Sequence, residues 1–311
     1  MIASQGLRWR RIRATAVLLT VLSLLVVALS AYLRLDAAGL GCADWPGCYA
    51  RSLAGEPQAL PLSVARLLHR ATASLSLLLA CALVWDCRRR PAVQSAARPA
   101  TLLLLLMLVL SMLGIWSADP RRVLVGFLNI IGGLSVVALS WQVVLASRPR
   151  TLLDRVTAPT VLLHLGAAAL LLTVVLGALI GAGHAALAGA WFPDYGGDWF
   201  PGWPPAAGWA GLRPFATLSG TPLADDPGGI ALHALHRYAA LATLLLLGSA
   251  GLQALTDETR RPAAITLLVL LASAIAVGSL TVTSGFSLWL AISHVVCAAL
   301  LLAAVVTLLR R

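Results

Sequence analysis

The sequence predicts an all-α membrane protein, with eight transmembrane helices arranged as two pseudosymmetric four-helix bundles. Three observations carry this expectation. Hydrophobic residues make up 59% of the 311 residues and charged residues only 11%, whereas a soluble domain is about 25% charged. Apolar runs of about 20 residues recur eight times along the chain, each long enough to cross a ~30 Å hydrocarbon core as a helix. A short motif also repeats: L-L-H-R, with His69 and Arg70, returns as A-L-H-R, with His236 and Arg237. In lipid the backbone must satisfy its own hydrogen bonds, so the runs are helices rather than isolated strands.

The net charge of +11 is not a nucleic-acid signal. There is no lysine; all 23 basic residues are arginine. With the N-terminus placed in the cytoplasm, fifteen arginines and four acids fall on the inner side, and eight of each on the outer side. The whole excess then lies on one face, as the positive-inside rule requires, and both termini are cytoplasmic.

The first span covers 14–33. It follows a basic segment but is too long for a signal-peptide core, and no small-residue cleavage site follows it. The outer loop 34–62 contains A-G-L-G-C-A-D-W-P-G-C-Y. Cys42 and Cys48 are separated there by a Pro-Gly turn that allows the sulfurs to meet. They read as a disulfide, either structural or redox-active. Cys81, Cys87 and Cys297 lie within or at the inner ends of spans and read as packing residues.

The second span, 63–84, opens with Arg66, His69 and Arg70 on one helix face near the outer surface. Ionisable groups inside spans are costly and usually face the bundle interior; the bland reading of both arginines is snorkelling to the headgroups. The third and fourth spans, 100–117 and 123–146, are joined by a short outer turn, and the fourth carries Asn129 near its outer end. The fifth, 156–180, holds His164, which has no matching motif and reads as packing or interhelical bonding. The stretch 181–229 begins near His184 and is dense in tryptophan, proline and glycine. It reads as a cap on the outer surface or a lid over a cavity.

The sixth span, 230–250, carries His233 and His236; the seventh is 263–283; the eighth, 288–308, carries His294. His69 and His236 are 167 positions apart, and Asn129 and His294 are 165 apart. The chain therefore divides into an N-terminal half, 1–150, and a C-terminal half, 151–311, in the same orientation. His236 and His294 fall at similar depth on helices of one bundle and suit axial ligation of a haem iron from both sides. Arg70 and Arg237 at the rim suit propionate recognition, because guanidinium matches carboxylate geometry. A closed zinc site would need four ligands, and no such cluster is evident. Transport is a weaker reading, since rim-placed histidines do not form a midplane pathway.

The cysteine loop, the L-L-H-R and L-H-A-L-H-R helix starts and the I-S-H of the eighth span together resemble the haem A synthase family, from about Ala31 to the C-terminus. The resemblance implies an oxidoreductase that converts the C8 methyl of haem O to a formyl group for cytochrome oxidase biogenesis. By the same resemblance, haem b sits in the C-terminal half on His236 and His294; from the chain's own residues, Arg237 at the rim and His233 on the same face as His236 are the accompanying candidates. Haem O sits in the N-terminal half at His69, and Cys42 and Cys48 match the family's outer-loop cysteines; from the chain's own residues, Arg66 and Arg70 beside His69 are the candidates to meet its propionates. The implied partners are haem O, haem O synthase, cytochrome oxidase assembly factors and the lipid bilayer, with no nucleic acid. The implied location is the inner membrane of a bacterium.

The chain departs from the family at two places: Arg66 stands where a glutamate is usual, and Asn129 where a histidine is usual. An arginine cannot act as a carboxylate base, and asparagine is a poor iron ligand. The alternative reading is therefore a non-catalytic haem-binding membrane protein, serving electron transfer or oxidase assembly.

Overall fold

The computed structural model describes residues 2–37, 60–89, 93–117, 122–147, 160–183, 192, 194, 197, 199 and 227–310. Among these, eight helices follow one another: α1 Ile2–Ala37, α2 Leu60–Arg88, α3 Gln94–Leu113, α4 Val123–Ala146, α5 Val161–Ala182, α6 Pro227–Ala254, α7 Arg261–Thr283 and α8 Leu288–Arg310. All eight are long and apolar enough to cross a membrane, and no strand occurs among the described residues.

The boundaries follow local chemistry. α5 starts five residues later than hydrophobicity alone predicts, because the Thr160 hydroxyl caps it by accepting from the Leu163 N–H at 3.3 Å. An N-cap hydroxyl satisfies a donor that the helix itself cannot. α7 carries Pro262 in its first turn, where a missing N–H costs nothing. α3 begins and ends earlier than the apolar run suggests and accommodates Pro99 near its start. The α7–α8 turn places Gly285 and Phe286 at positive φ, 70° and 61°; the Phe286 N–H donates back to the Thr281 carbonyl at 2.8 Å. A bulky residue held in the left-handed region is rare, and here it carries the Phe286 ring into the protein, where it is buried.

Successive helices pack as antiparallel neighbours: α1 on α2, α2 on α3, α3 on α4, and likewise α5 to α8. α1 also packs on α4, while α1–α8, α4–α5 and α4–α8 join the first four helices to the last four. One apolar cluster, with Leu19, Leu83, Leu103 and Val143, fills the first set; a second, with Leu163, Leu247, Leu267 and Leu308, fills the other. Between them Val27, Ile130, Leu134, Ala178 and Ala299 form a seam. Hydrogen bonds cross the seam on the side of the termini: the Trp141 indole N–H donates to Thr307 Oγ1 at 2.7 Å, and Arg310 donates to the Gln142 carbonyl at 3.1 Å. On the same side, Arg11 pairs with Asp86 at 2.5 Å, tying α1 to α2.

The outside of the bundle is apolar. Leu67, Leu78, Val109, Leu172, Leu245 and Val269 are all more than half exposed. A soluble monomer does not carry such a belt; a lipid-facing surface does. The protein is a multi-pass membrane protein.

Candidate functional site

His236 on α6 and His294 on α8 come together inside the second set of helices. Their ring centroids are 6.2 Å apart and the planes are inclined at 80°. Each ring is held in the same way. His236 Nδ1 lies 3.0 Å from the Thr173 carbonyl of α5, and His294 Nδ1 lies 3.1 Å from the Ala274 carbonyl of α7. A carbonyl can only accept, so in each ring Nδ1 carries the proton and Nε2 keeps its lone pair. Hydrogen bonds from the other ring nitrogen to a carbonyl orient imidazoles that bind metals.

The seats of the two rings also match. One turn beyond each carbonyl stands a glycine. A Cβ at Gly177 would lie 3.1 Å from His236 Cε1, and one at Gly278 would lie 2.8 Å from His294 Cε1. The histidines thus rest on glycine notches of the helices that precede theirs. Sequence reasoning found both histidines but missed Thr173, Gly177, Ala274 and Gly278. The available signal was the pair of stretches T-V-V-L-G and A-I-A-V-G, each placing a glycine one helical turn after a small residue.

This arrangement fits a haem iron. Two metal–imidazole bonds of about 2 Å each, with the distance from each nitrogen to its ring centre added, come to roughly 6 Å between centroids. Among the described residues there is no group of three or more histidine, cysteine or acidic side chains that could hold a metal ion. A macrocycle supplies the remaining ligands itself, so two imidazoles suffice for it.

The rim of this site lies one turn towards the face opposite the termini. His233 is buried and meets the Phe286 ring edge-on, with centroids 6.1 Å apart. Arg237 lies over the Phe192 ring at 5.6 Å, a cation–π contact. The Tyr238 hydroxyl donates to the Trp199 carbonyl. Phe192 and Trp199 therefore rest against the outer half of α6.

The other sequence-predicted residues are arranged differently. His69 and Asn129 are half-buried, and Arg66 and Arg70 are exposed. His69 makes no hydrogen bond among the described residues. His164 is exposed, and its Nδ1 lies 3.1 Å from the Thr160 carbonyl of its own first turn, so it bonds within α5 rather than between helices. Of the cysteines, Cys87 is buried, Cys297 half-buried and Cys81 exposed, all free; Cys81 is therefore a surface residue rather than a packing one. Cys42, Cys48 and His184 lie outside the described residues.

The chain is 28% identical over 309 residues to the heme A synthase of Shewanella oneidensis, an alignment covering 93% of this chain and 92% of that protein. Residues 123–306 match the profile of the cytochrome oxidase assembly protein family, COX15-CtaA. That region is more than half of the sequence and contains α4 to α7, most of α8, and both histidines of the paired site. The chain belongs to the COX15-CtaA family of cytochrome oxidase assembly proteins.

Proposed function

We propose that this protein is a haem A synthase, an oxidoreductase that oxidises the C8 methyl of haem O to the formyl group of haem A. The observation that carries the reading is the His236–His294 pair, in which two imidazoles are held by equivalent carbonyls and notches at a spacing suited to one iron. These residues would hold haem b, which when bound supplies one-electron chemistry. His233, one turn outward, and Arg237, which directly follows His236 on α6, serve its polar edge.

The N-terminal half, 1–150, is the site for haem O. His69 is its ligating residue, and Arg66 and Arg70, exposed near the helix start, meet the substrate's propionates at headgroup level. The packing supports the division at about residue 150: each set of four helices has its own apolar cluster. The strong excess of arginine on the side of both termini supports a cytoplasmic position for them, and the similarity to a Shewanella oneidensis protein supports residence in a bacterial inner membrane. Cys42 and Cys48 form a disulfide on the opposite side. Haem O synthase, as the source of substrate, and cytochrome oxidase assembly factors, as recipients of product, are the expected partners.

A second reading is favoured by one feature. Arg66 and Asn129 are ill-suited to base catalysis and iron ligation, so the chain would bind haem and pass electrons without oxidising a methyl group. Expression in a host that makes haem O but no haem A, followed by pigment extraction, separates the two. Haem A, or its hydroxylated precursor, is expected. A folded, haem-loaded protein that yields neither leaves only the second reading.

A further inference from the structure

Arg34 lies near the end of α1, on the face of the bundle opposite the termini, and belongs to the first set of helices. Its stripe on α1, with Val27 and Ala31, faces inward. Val27 joins the seam cluster, and Ala31 joins the cluster of Leu35, Phe286 and Ile292. The same end of α1 is fixed to α8 by the stacking of Tyr32 on Trp289, with centroids 5.9 Å apart. Arg34 is therefore not placed to snorkel along a lipid-facing surface.

The guanidinium reaches α5. A Cβ at Gly181 would lie 3.7 Å from Arg34 Nε and 4.0 Å from one terminal nitrogen. Nε is buried and has no hydrogen-bond partner among the described residues. A buried charged donor without an acceptor is costly, and an anion is the partner that would offset that cost. Asp36 is two positions away on the same helix, and such residues do not face each other.

Gly181 is one turn past Gly177, on the same side of α5. Gly177 seats the His236 ring, so the Arg34 guanidinium sits roughly one helical pitch, ~6 Å, further outward. A macrocycle with its iron between His236 and His294 has its carboxylate-bearing edge displaced from the ligating nitrogens in this way. We propose that Arg34 is a carboxylate receptor of the C-terminal haem site, reaching across the seam from the first half to pair with a propionate; the proposal rests on the haem reading above. Guanidinium presents two parallel N–H groups to a carboxylate, which makes it selective for that group. Loading of the second half then depends on a residue of the first half.

The test uses the purified full-length protein, titrated with haem b and with haem b dimethyl ester, in which both propionates are capped. Wild type is expected to bind haem b at least tenfold more tightly than the ester. Arg34→Gln should bind haem b more weakly, lose most of that discrimination, and keep a low-spin spectrum at a lower midpoint potential, because a positive charge near the iron has gone. Arg34→Lys, which keeps the charge and loses the fork, should fall between. An Arg34→Gln protein with wild-type affinity and full discrimination overturns the proposal. So does a wild type that binds haem b and its ester equally, a result that needs no variant to fold. A wild type that takes up no haem b with a bis-imidazole spectrum is a different outcome, and removes the haem reading together with the proposal.

Discussion

Replacing Gly278 by alanine puts a methyl group where the His294 ring now rests. The added carbon would stand 2.8 Å from Cε1, against about 3.5 Å for an ordinary carbon contact, so the ring must retreat by ~0.7 Å. The same change at Gly177 starts from 3.1 Å and demands only ~0.4 Å. Metal–ligand distances hold to about 0.2 Å, so both shifts exceed the tolerance, and the first exceeds it more. Overpacking of this kind costs about 1–3 kcal/mol, which corresponds to a roughly five- to 150-fold loss of haem retention for Gly278→Ala and a smaller loss for Gly177→Ala. The assay is haem stoichiometry and the visible spectrum of the detergent-solubilised variants, with size-exclusion chromatography to establish folding. Conversion from a low-spin towards a high-spin spectrum is expected, more complete at 278 than at 177. A folded Gly278→Ala protein with wild-type haem content and spectrum refutes the notch argument, and so does the reverse order of severity.

The remaining expectations concern single groups. His236→Ala and His294→Ala should each abolish the low-spin b-type spectrum, whereas His164→Ala should leave it intact, because that ring is exposed and bonds only within its own helix; haem spectra of the three variants check this. Trp141→Phe removes the bond to Thr307 across the seam and should cost about 0.5–1 kcal/mol; Thr307→Val should cost a similar amount, and the double variant little more, as read by thermal unfolding in detergent. Alkylation of the non-reduced protein should find Cys42 and Cys48 blocked and become able to label them only after reduction. Free thiols at both positions would exclude a stable disulfide.

Much of the fold was legible in composition, because a lipid-facing helix must be apolar on its outer surface whatever it packs against inside. Leu67, Val109 and Leu245 are exposed in the folded protein yet read as hydrophobic runs for that reason. The helix ends were less legible. Hydropathy does not register a capping hydroxyl such as Thr160, or a proline such as Pro99 tolerated near a helix start. At the site, His236 and His294 stood out because a histidine in an apolar span is rare and two at matching depth are rarer. The groups that hold them did not stand out. Backbone carbonyls at Thr173 and Ala274 leave no mark on the sequence, and Gly177 and Gly278 look like ordinary small residues of packed membrane helices. Arg34 escaped notice for a related reason: an arginine near the end of a span reads as a headgroup anchor, and only the inward direction of its stripe on α1 distinguishes it.

Electron paramagnetic resonance of the oxidised, haem-loaded protein tests the central claim most directly, that His236 and His294 are the two axial ligands of one iron. Axial imidazoles whose planes cross at a large angle leave the low-spin iron strongly anisotropic, while parallel planes give an ordinary rhombic spectrum. With ring planes at 80°, the protein should show the strongly anisotropic low-spin signal, and it should vanish in His294→Ala. A rhombic spectrum would contradict the ring geometry, and a low-spin signal unchanged in His294→Ala would contradict the assignment of the ligands.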